Sequence, residues 1–333
     1  MKIGLIDIDH SNFPNIALMK ISAWHKKVGH KVEWYTPFEH YNIVYVAKVF
    51  AFTEDWREPI NADRVIVGGS GYMIRNIGGK EGWYPFQHHK ETKRRGYEFM
   101  DELPYHIEHI YPDYSLYPMY TKDTAYGFLT RGCPRGCEFC HVSAKEGKQS
   151  YKVADLQEFW GGQKNIVLCD PNILACTDWK ELLQQLIDSK SWVDFNHGLD
   201  IRMMTEEKAE MLSQIKIKQI RFAWDRYQDK ELVLPRLEMF AKHTKLNSHN
   251  RIVYTLVNFD TTTDQDLERI YTLRAMGYWA YIMVYDKEHC TDQFYKDIAR
   301  WVNNRRIFAK CERFEDYKKL TNKTTQQWKE LLT

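Results

Sequence analysis

Thr130-Arg131-Gly132-Cys133-Pro134-Arg135-Gly136-Cys137-Glu138-Phe139-Cys140 places three cysteines within one short segment of a 333-residue chain. Gly132 and Gly136 let the backbone turn closely and Pro134 stiffens it, so three thiols can converge on one metal centre. Three ligands leave a coordination position free. In a four-iron cluster, whose irons each normally take one Cys thiolate, that free iron is where a small molecule can bind. The alternative is a zinc site of Cys₃His type with His141 as fourth ligand. Adjacent Cys140 and His141 are poorly placed for one tetrahedral ion, and no second CxxC pair is present. The cysteines number seven, an odd count, and they cluster, which argues against a disulfide framework. Clustered thiols in a reducing compartment bind metal, whereas Cys169, Cys176, Cys290 and Cys311 are scattered and read as small buried hydrophobes.

Working outward, the motif follows a predicted strand at Gly127–Thr130, and five more are predicted downstream: Asn165–Cys169, Trp192–Phe195, Gln219–Ala223, Arg251–Val257 and Trp279–Val284. Helical periodicity fills the gaps, for example over Trp179–Leu186, Glu206–Leu212 and Asp264–Met276. Six β/α units after one cysteine motif predict a barrel-like or doubly wound α/β domain. From about Gln293 the chain is charged and helical, with Trp301 and Phe308 as docking anchors. Upstream, Lys2–Asp7, Lys31–Tyr35, Ile43–Phe52 and Arg64–Val67 read as strands, with a helix beginning near Asn12 and Pro14 and stopping at Gly29. Strand and helix in alternation, with Gly68-Gly69-Ser70-Gly71 closing a strand, predict an open parallel sheet of Rossmann-like type. Residues 73–100 break this pattern with His88, His89 and the basic Lys90, Lys93, Arg94 and Arg95. The proline-bearing stretch Leu103–Pro118 reads as a linker.

Composition narrows the functional classes. The 47 basic and 45 acidic residues leave a net charge of +2, so only a local basic surface could favour nucleic acid, and the Lys90–Arg95 stretch reads as a solvated loop. A hydrophobic fraction of 44% supports a packed core. The aromatic share of 14% reads as bulky packing. No apolar run is long enough for a bilayer, and the N-terminus begins with a strand, so a soluble, cytoplasmic protein is expected.

CxxxCxxC with an aromatic before its last cysteine, just after the first strand of an α/β domain, resembles the radical S-adenosylmethionine superfamily. The resemblance implies a partial (β/α)6 TIM-like barrel over 116–290. It would follow a Rossmann-like, cobalamin-binding-like domain over 1–115 and precede a helical extension over 291–333. It implies that Cys133, Cys137 and Cys140 bind three irons of a [4Fe–4S] cluster whose fourth iron is chelated by S-adenosylmethionine. Cleavage would give methionine and a 5′-deoxyadenosyl radical that takes hydrogen from an unidentified substrate. The electron would come from a donor such as flavodoxin or ferredoxin, and neither membrane nor nucleic acid is an expected partner.

Phe139 is then the aromatic packing near adenine. The segment ending in Asp170-Pro171-Asn172 resembles the Asp-Asp-Asn stretch of members with an N-terminal cobalamin-type domain. Gly198-Leu199-Asp200-Ile201-Arg202 resembles their third unit, and the stretch from Leu256 to Asp260 their fifth. The similarity covers most of residues 120–290.

The usual Gly-Gly-Glu segment for the cofactor's amino group is not visible; Asp170 and Asn172 stand in its place. Independently, Asp170, Asp200, Arg202, Asp225 and Asp260 fall at predicted strand ends, where such sheets gather ligands. Arg202 is the natural partner of a carboxylate. His197 and Trp224 fall there too, as candidates for a substrate pocket.

For cobalamin, Asp7-Ile8-Asp9-His10 lacks the family's Asp-x-His-x-x-Gly spacing. A degenerate domain shaping the substrate cleft is favoured over bound cobalamin. A cobalamin-dependent C-methyltransferase and a non-enzymatic metal-binding or nucleic-acid-binding module are the competing functions.

Overall fold

The computed structural model describes residues 1–77, 80–83, 94–100 and 102–321. It is a mixed α/β protein whose main sheets are parallel, and the chain gathers into two compact units, Met1–Asn196 and His197–Thr333.

The first unit opens with a five-stranded sheet built from β1 (Lys2–Asp7), β2 (Lys31–Trp34), β3 (Tyr41–Ala47), β4 (Ala62–Gly68) and, later in the chain, β7 (Glu98–Met100). The strands lie in the order β2-β1-β3-β4-β7, all pairs parallel. β1 and β3 are apolar runs because both faces of the sheet are covered. Ile3, Leu5, Ile43 and Tyr45 pack toward α1 (Ile16–Lys27), whereas Ile6, Val44, Val46, Val65 and Val67 form the core of the opposite face. α1 starts where the Asn15 side chain accepts the Leu18 N–H at 3.1 Å and is followed by Gly29 at φ +80°.

β3 ends at Ala47 rather than running on to Phe52. The Asp9 carboxylate takes the N–H groups of Val49 (2.6 Å) and Phe50 (3.3 Å) out of the ladder. A short antiparallel pair, β5 (Ile74–Ile77) and β6 (Lys80–Trp83), follows β4.

The same unit continues with β8 (Thr124–Gly127), β9 (Thr130–Arg131), β10 (Tyr151–Lys152), β11 (Asn165–Leu168) and β12 (Trp192–Phe195). β11 lies between β8 and β12 in parallel register, Leu168 opposite both Gly127 and Phe195. The strand expected over 127–130 is therefore split. Gly127 lies under the Phe159 ring, which a Cβ would meet at 2.4 Å, and the chain resumes as β9 in an antiparallel pair with β10.

The boundary expected at 115/116 lies inside this unit, and the segment read as a linker is fastened on both sides. Lys20 pairs with Glu108, Ser22 donates to Asp113 and Tyr117 donates to Asp7, tying it to the first sheet. Tyr114 donates to the Phe159 carbonyl at 2.5 Å and accepts the Tyr126 N–H, tying it to the second.

In the second unit, β13 (Lys216–Ile217) precedes a parallel sheet of β14 (Ile220–Ala223), β15 (Arg251–Val257) and β16 (Trp279–Val284). Helix Glu206–Gln214 precedes β13, helix Lys230–His243 joins β14 to β15, and helix Thr263–Ala275 joins β15 to β16. Phe222 and Phe240 meet edge to face, 4.9 Å between ring centroids. Helix Gln293–Asn303 follows β16, and the expected anchors Trp301 and Phe308 are both buried, with ring centroids 5.2 Å apart. Among the described residues, no helix is long and apolar enough to cross a membrane.

Candidate functional site

The cysteine loop is a closed excursion between β9 and β10. Its neck is held by the pairs Thr130–Lys152 and Arg131–Tyr151 and by Cys133 N–H donating to the Gly147 carbonyl at 3.2 Å. Glu146 tightens the neck further, accepting from Arg131 Nη1 (2.9 Å) and from the Gly132 N–H (3.1 Å). Gly132 sits at φ +76°, and a Cβ there would meet the Gln149 carbonyl oxygen at 2.0 Å, so glycine is required at this position. Within the loop, Cys140 N–H donates to the Cys137 carbonyl at 3.0 Å, and helix Val142–Glu146 follows.

Exposure separates the cysteines. Cys133, Cys137 and Cys140 are partly exposed, as is Cys290 in the second unit, whereas Cys169, Cys176 and Cys311 are buried. Burial pushes the Cys169 thiol up to about 12 and raises those of Cys176 and Cys311, so these three are held as neutral thiols. Among the described residues, no three His, Cys, Asp or Glu side chains gather closely enough to hold a single metal ion.

Two residues predicted from sequence come to this loop. Asp170, just past β11, lies almost wholly out of solvent and accepts from the N–H groups of Leu129 and Thr130 and from Thr130 Oγ1 (2.7 Å). Desolvation raises its carboxyl to about 6, against the lowering effect of those hydrogen bonds. Its observed role is to hold the entrance of the cysteine loop. Asn172 is buried, with Nδ2 3.5 Å from Cys133 Sγ, and its carbonyl accepts from Ser150 Oγ at 2.8 Å. Phe139 is half-buried in the loop between Cys137 and Cys140.

The remaining candidates lie in the second unit. The Asp200 carboxylate accepts from Arg202 Nε at 2.8 Å, and Asp229, which was not singled out from sequence, accepts from Nη1 at 3.0 Å. Desolvation opposes the Arg202 charge, but the two carboxylates hold its pKa above the usual guanidinium value. Asp225 follows β14, and burial pushes its carboxyl up to about 6, opposed by Arg269 and Arg202. Asp260 is exposed and loosely paired with Arg226 at 3.7 Å. His197 is exposed, whereas Trp224 is buried core.

Arg269 is a further residue that sequence reasoning missed. Fully buried, it donates to the carbonyls of Trp224 (2.7 Å), Asp225 (2.9 Å) and Leu256 (2.6 Å) and to Asp266 (2.5 Å), joining the carboxyl ends of β14 and β15. Its signal was only an arginine on the inner face of a predicted helix.

The glycine turn after β4 is closely packed by the chain itself. A Cβ on Gly68 would meet the Met100 carbonyl oxygen at 2.5 Å, and one on Gly69 the Lys48 carbonyl oxygen at 2.3 Å. The space the glycines leave is taken by the backbone of β7 and of Lys48, the residue just past β3. Asp9 is committed to the 49–53 loop, including a 2.7 Å bond from Thr53 Oγ1. His10 adopts a left-handed φ of +42°. Of the basic stretch, His88, His89, Lys90 and Lys93 lie outside the described residues; Arg94 is exposed, and Arg95 Nη1 donates to the Trp56 carbonyl at 2.8 Å.

No known family model matches the chain, and no curated protein matches it.

Proposed function

We propose that this chain is a radical S-adenosylmethionine enzyme, with a [4Fe–4S] cluster held by Cys133, Cys137 and Cys140 and no cobalamin. In this proposal the first sheet is a Rossmann-like domain and the six strands β8, β11, β12, β14, β15 and β16 belong to a partial (β/α)6 barrel. The observation that carries it is the neck-closed loop presenting three partly exposed thiols, while the chain's three buried thiols are held neutral. A cluster spreads its thiolates over separate irons, so its ligands need not converge as tightly as the four of a zinc ion.

When bound, the cluster would supply the electron that splits the carbon–sulfur bond of S-adenosylmethionine, replenished by a small acidic donor such as flavodoxin or ferredoxin. The chain's own residues have separate tasks. Glu146 and Asp170 hold the two ends of the loop's first strand, fixing where Cys133 emerges. Asn172 directs an amide hydrogen at the Cys133 sulfur, an outer contact of the kind that orients a metal ligand. Asp200 and Asp229 orient Arg202, whose guanidinium we assign to the cofactor's carboxylate.

The test is anaerobic reconstitution with iron and sulfide, then reduction with dithionite in the presence of S-adenosylmethionine. The expected products are 5′-deoxyadenosine and methionine, abolished in Cys137→Ala together with the broad visible absorbance of the cluster. Asn172→Ala should retain iron about 10- to 100-fold less tightly. A colourless protein that takes up zinc, or a loaded protein that forms no 5′-deoxyadenosine, overturns the assignment.

A further inference from the structure

The run Gly68-Gly69-Ser70-Gly71 closes β4 and turns the chain toward the cysteine loop. Gly71 lets that turn lie hard against the residues just past β3. Its N–H donates to the Lys48 carbonyl at 2.9 Å, and a Cβ there would meet the Phe50 carbonyl oxygen at 2.7 Å. Phe50 is held in its turn by Asp9, which accepts its N–H at 3.3 Å. Residues just past β1, β3 and β4 thus fix where Ser70 stands. Its hydroxyl accepts from Lys145 Nζ at 2.5 Å, across 75 positions of the chain.

Lys145 belongs to helix Val142–Glu146, and its N–H donates to the His141 carbonyl at 3.0 Å. Fixing Lys145 therefore fixes the turn by which the chain leaves Cys140. β6, in the hairpin that follows the glycine turn, packs beside the same helix. The other end of the cysteine loop is held separately, by Glu146 on the Gly132 N–H and Asp170 on the Thr130 N–H. A lysine side chain gives up much rotamer freedom when it is held, so a lasting contact needs a strong bond. The donor here is charged, and its side chain is only 25% exposed, which limits screening by water.

We propose that Ser70 and Lys145 are positioning residues, seating the Cys140 end of the cysteine loop on the glycine turn of the first sheet. With both ends of the loop held in advance, less conformational entropy is lost when three thiols take one metal centre. That consequence rests on the cluster assignment made above; the seat itself is a property of the metal-free chain.

The test starts with hydrogen-exchange mass spectrometry of the metal-free, full-length protein. Ser70→Ala should speed exchange over residues 140–147 about three- to tenfold, while β3 and β4 keep their protection. Lys145→Met should do the same, and the double variant should be no worse than either single one, since all three remove one bond. Lys145→Arg keeps a donor and should restore most of the protection. After reconstitution with iron and sulfide, Ser70→Ala and Lys145→Met should lose iron to a chelator about threefold or more faster than wild type, with Lys145→Arg close to wild type. Unchanged exchange over 140–147 in both single variants overturns the proposal. So do additive effects in the double variant, or loss of protection spread equally through β3 and β4. Faster exchange with unchanged iron release refutes the positioning role. Faster exchange in a chain whose wild type takes up no cluster leaves the seat standing and overturns the cluster assignment instead.

Discussion

Asp170 is a buried carboxylate whose acceptor sites face Leu129 and Thr130, so its protonation is linked to the shape of the cysteine loop. Its native pKa of about 6 lies above the usual 3.8. As pH rises through that window, the unfolded chain releases this proton before the native chain does. Its contribution to stability therefore falls between the two values and levels off above the native one. The wild type should lose on the order of 2 kcal/mol more than Asp170→Asn between pH 4 and 7, measured by denaturant unfolding. The variant should itself be about 1–3 kcal/mol less stable at pH 5, because its amide turns donors toward donors. Gly132→Ala tests the neck: the 2.0 Å contact with the Gln149 carbonyl should cost several-fold in iron retention after reconstitution. Both positions were visible in the sequence, Asp170 as a strand-end carboxylate and Gly132 as a turn residue. Glu146 was not, because its partner is a backbone N–H fourteen positions earlier and no local pattern announces it.

At the scale of elements, a single helix carries the brace between two strand ends. Arg269 and Asp266 are a fully buried pair one turn apart, and the guanidinium also satisfies three carbonyls of β14, β15 and the residues following them. Removing one member of a buried pair strands the other, so Arg269→Met should destabilise the protein by about 3–5 kcal/mol in denaturant titrations. Arg269→Met combined with Asp266→Leu should recover a substantial part of that loss, since no uncompensated charge then remains. The periodicity of residues 264–276 fixed the helix to within a residue of Thr263–Ala275. It could not show that one inward position is charged and bonds to strand ends, because an apolar-face pattern is blind to a polar residue with enough partners. The ends of strands were less legible for a related reason. β3 and β8 stop where side chains from distant segments, Asp9 and Phe159, take over the backbone's hydrogen bonds or its space.

For the first unit as a whole, the segment once expected to separate two domains instead joins two sheets. Tyr114 bonds the Phe159 carbonyl and the β8 backbone, and its neighbours Asp113 and Tyr117 bond α1 and β1. Tyr114→Phe should cost about 1–3 kcal/mol and lower hydrogen-exchange protection in β8 and in the 155–160 turn together. A linker that merely tethered two domains would leave that protection unchanged.

The sequence by itself determined the alternation of strands and helices, the parallel class of the main sheets and the grouping of three cysteines. These depend on residue type at short spacing: β-branched runs buried on both faces, helical periodicity, and thiols within one turn-rich loop. Only the tertiary structure decided which carboxylate holds the cysteine loop, why Gly68 and Gly69 are glycines, and that residues 103–118 fasten rather than separate. Each of those rests on contacts between atoms far apart in the chain, where burial and hydrogen-bond satisfaction, not local preference, choose the partner.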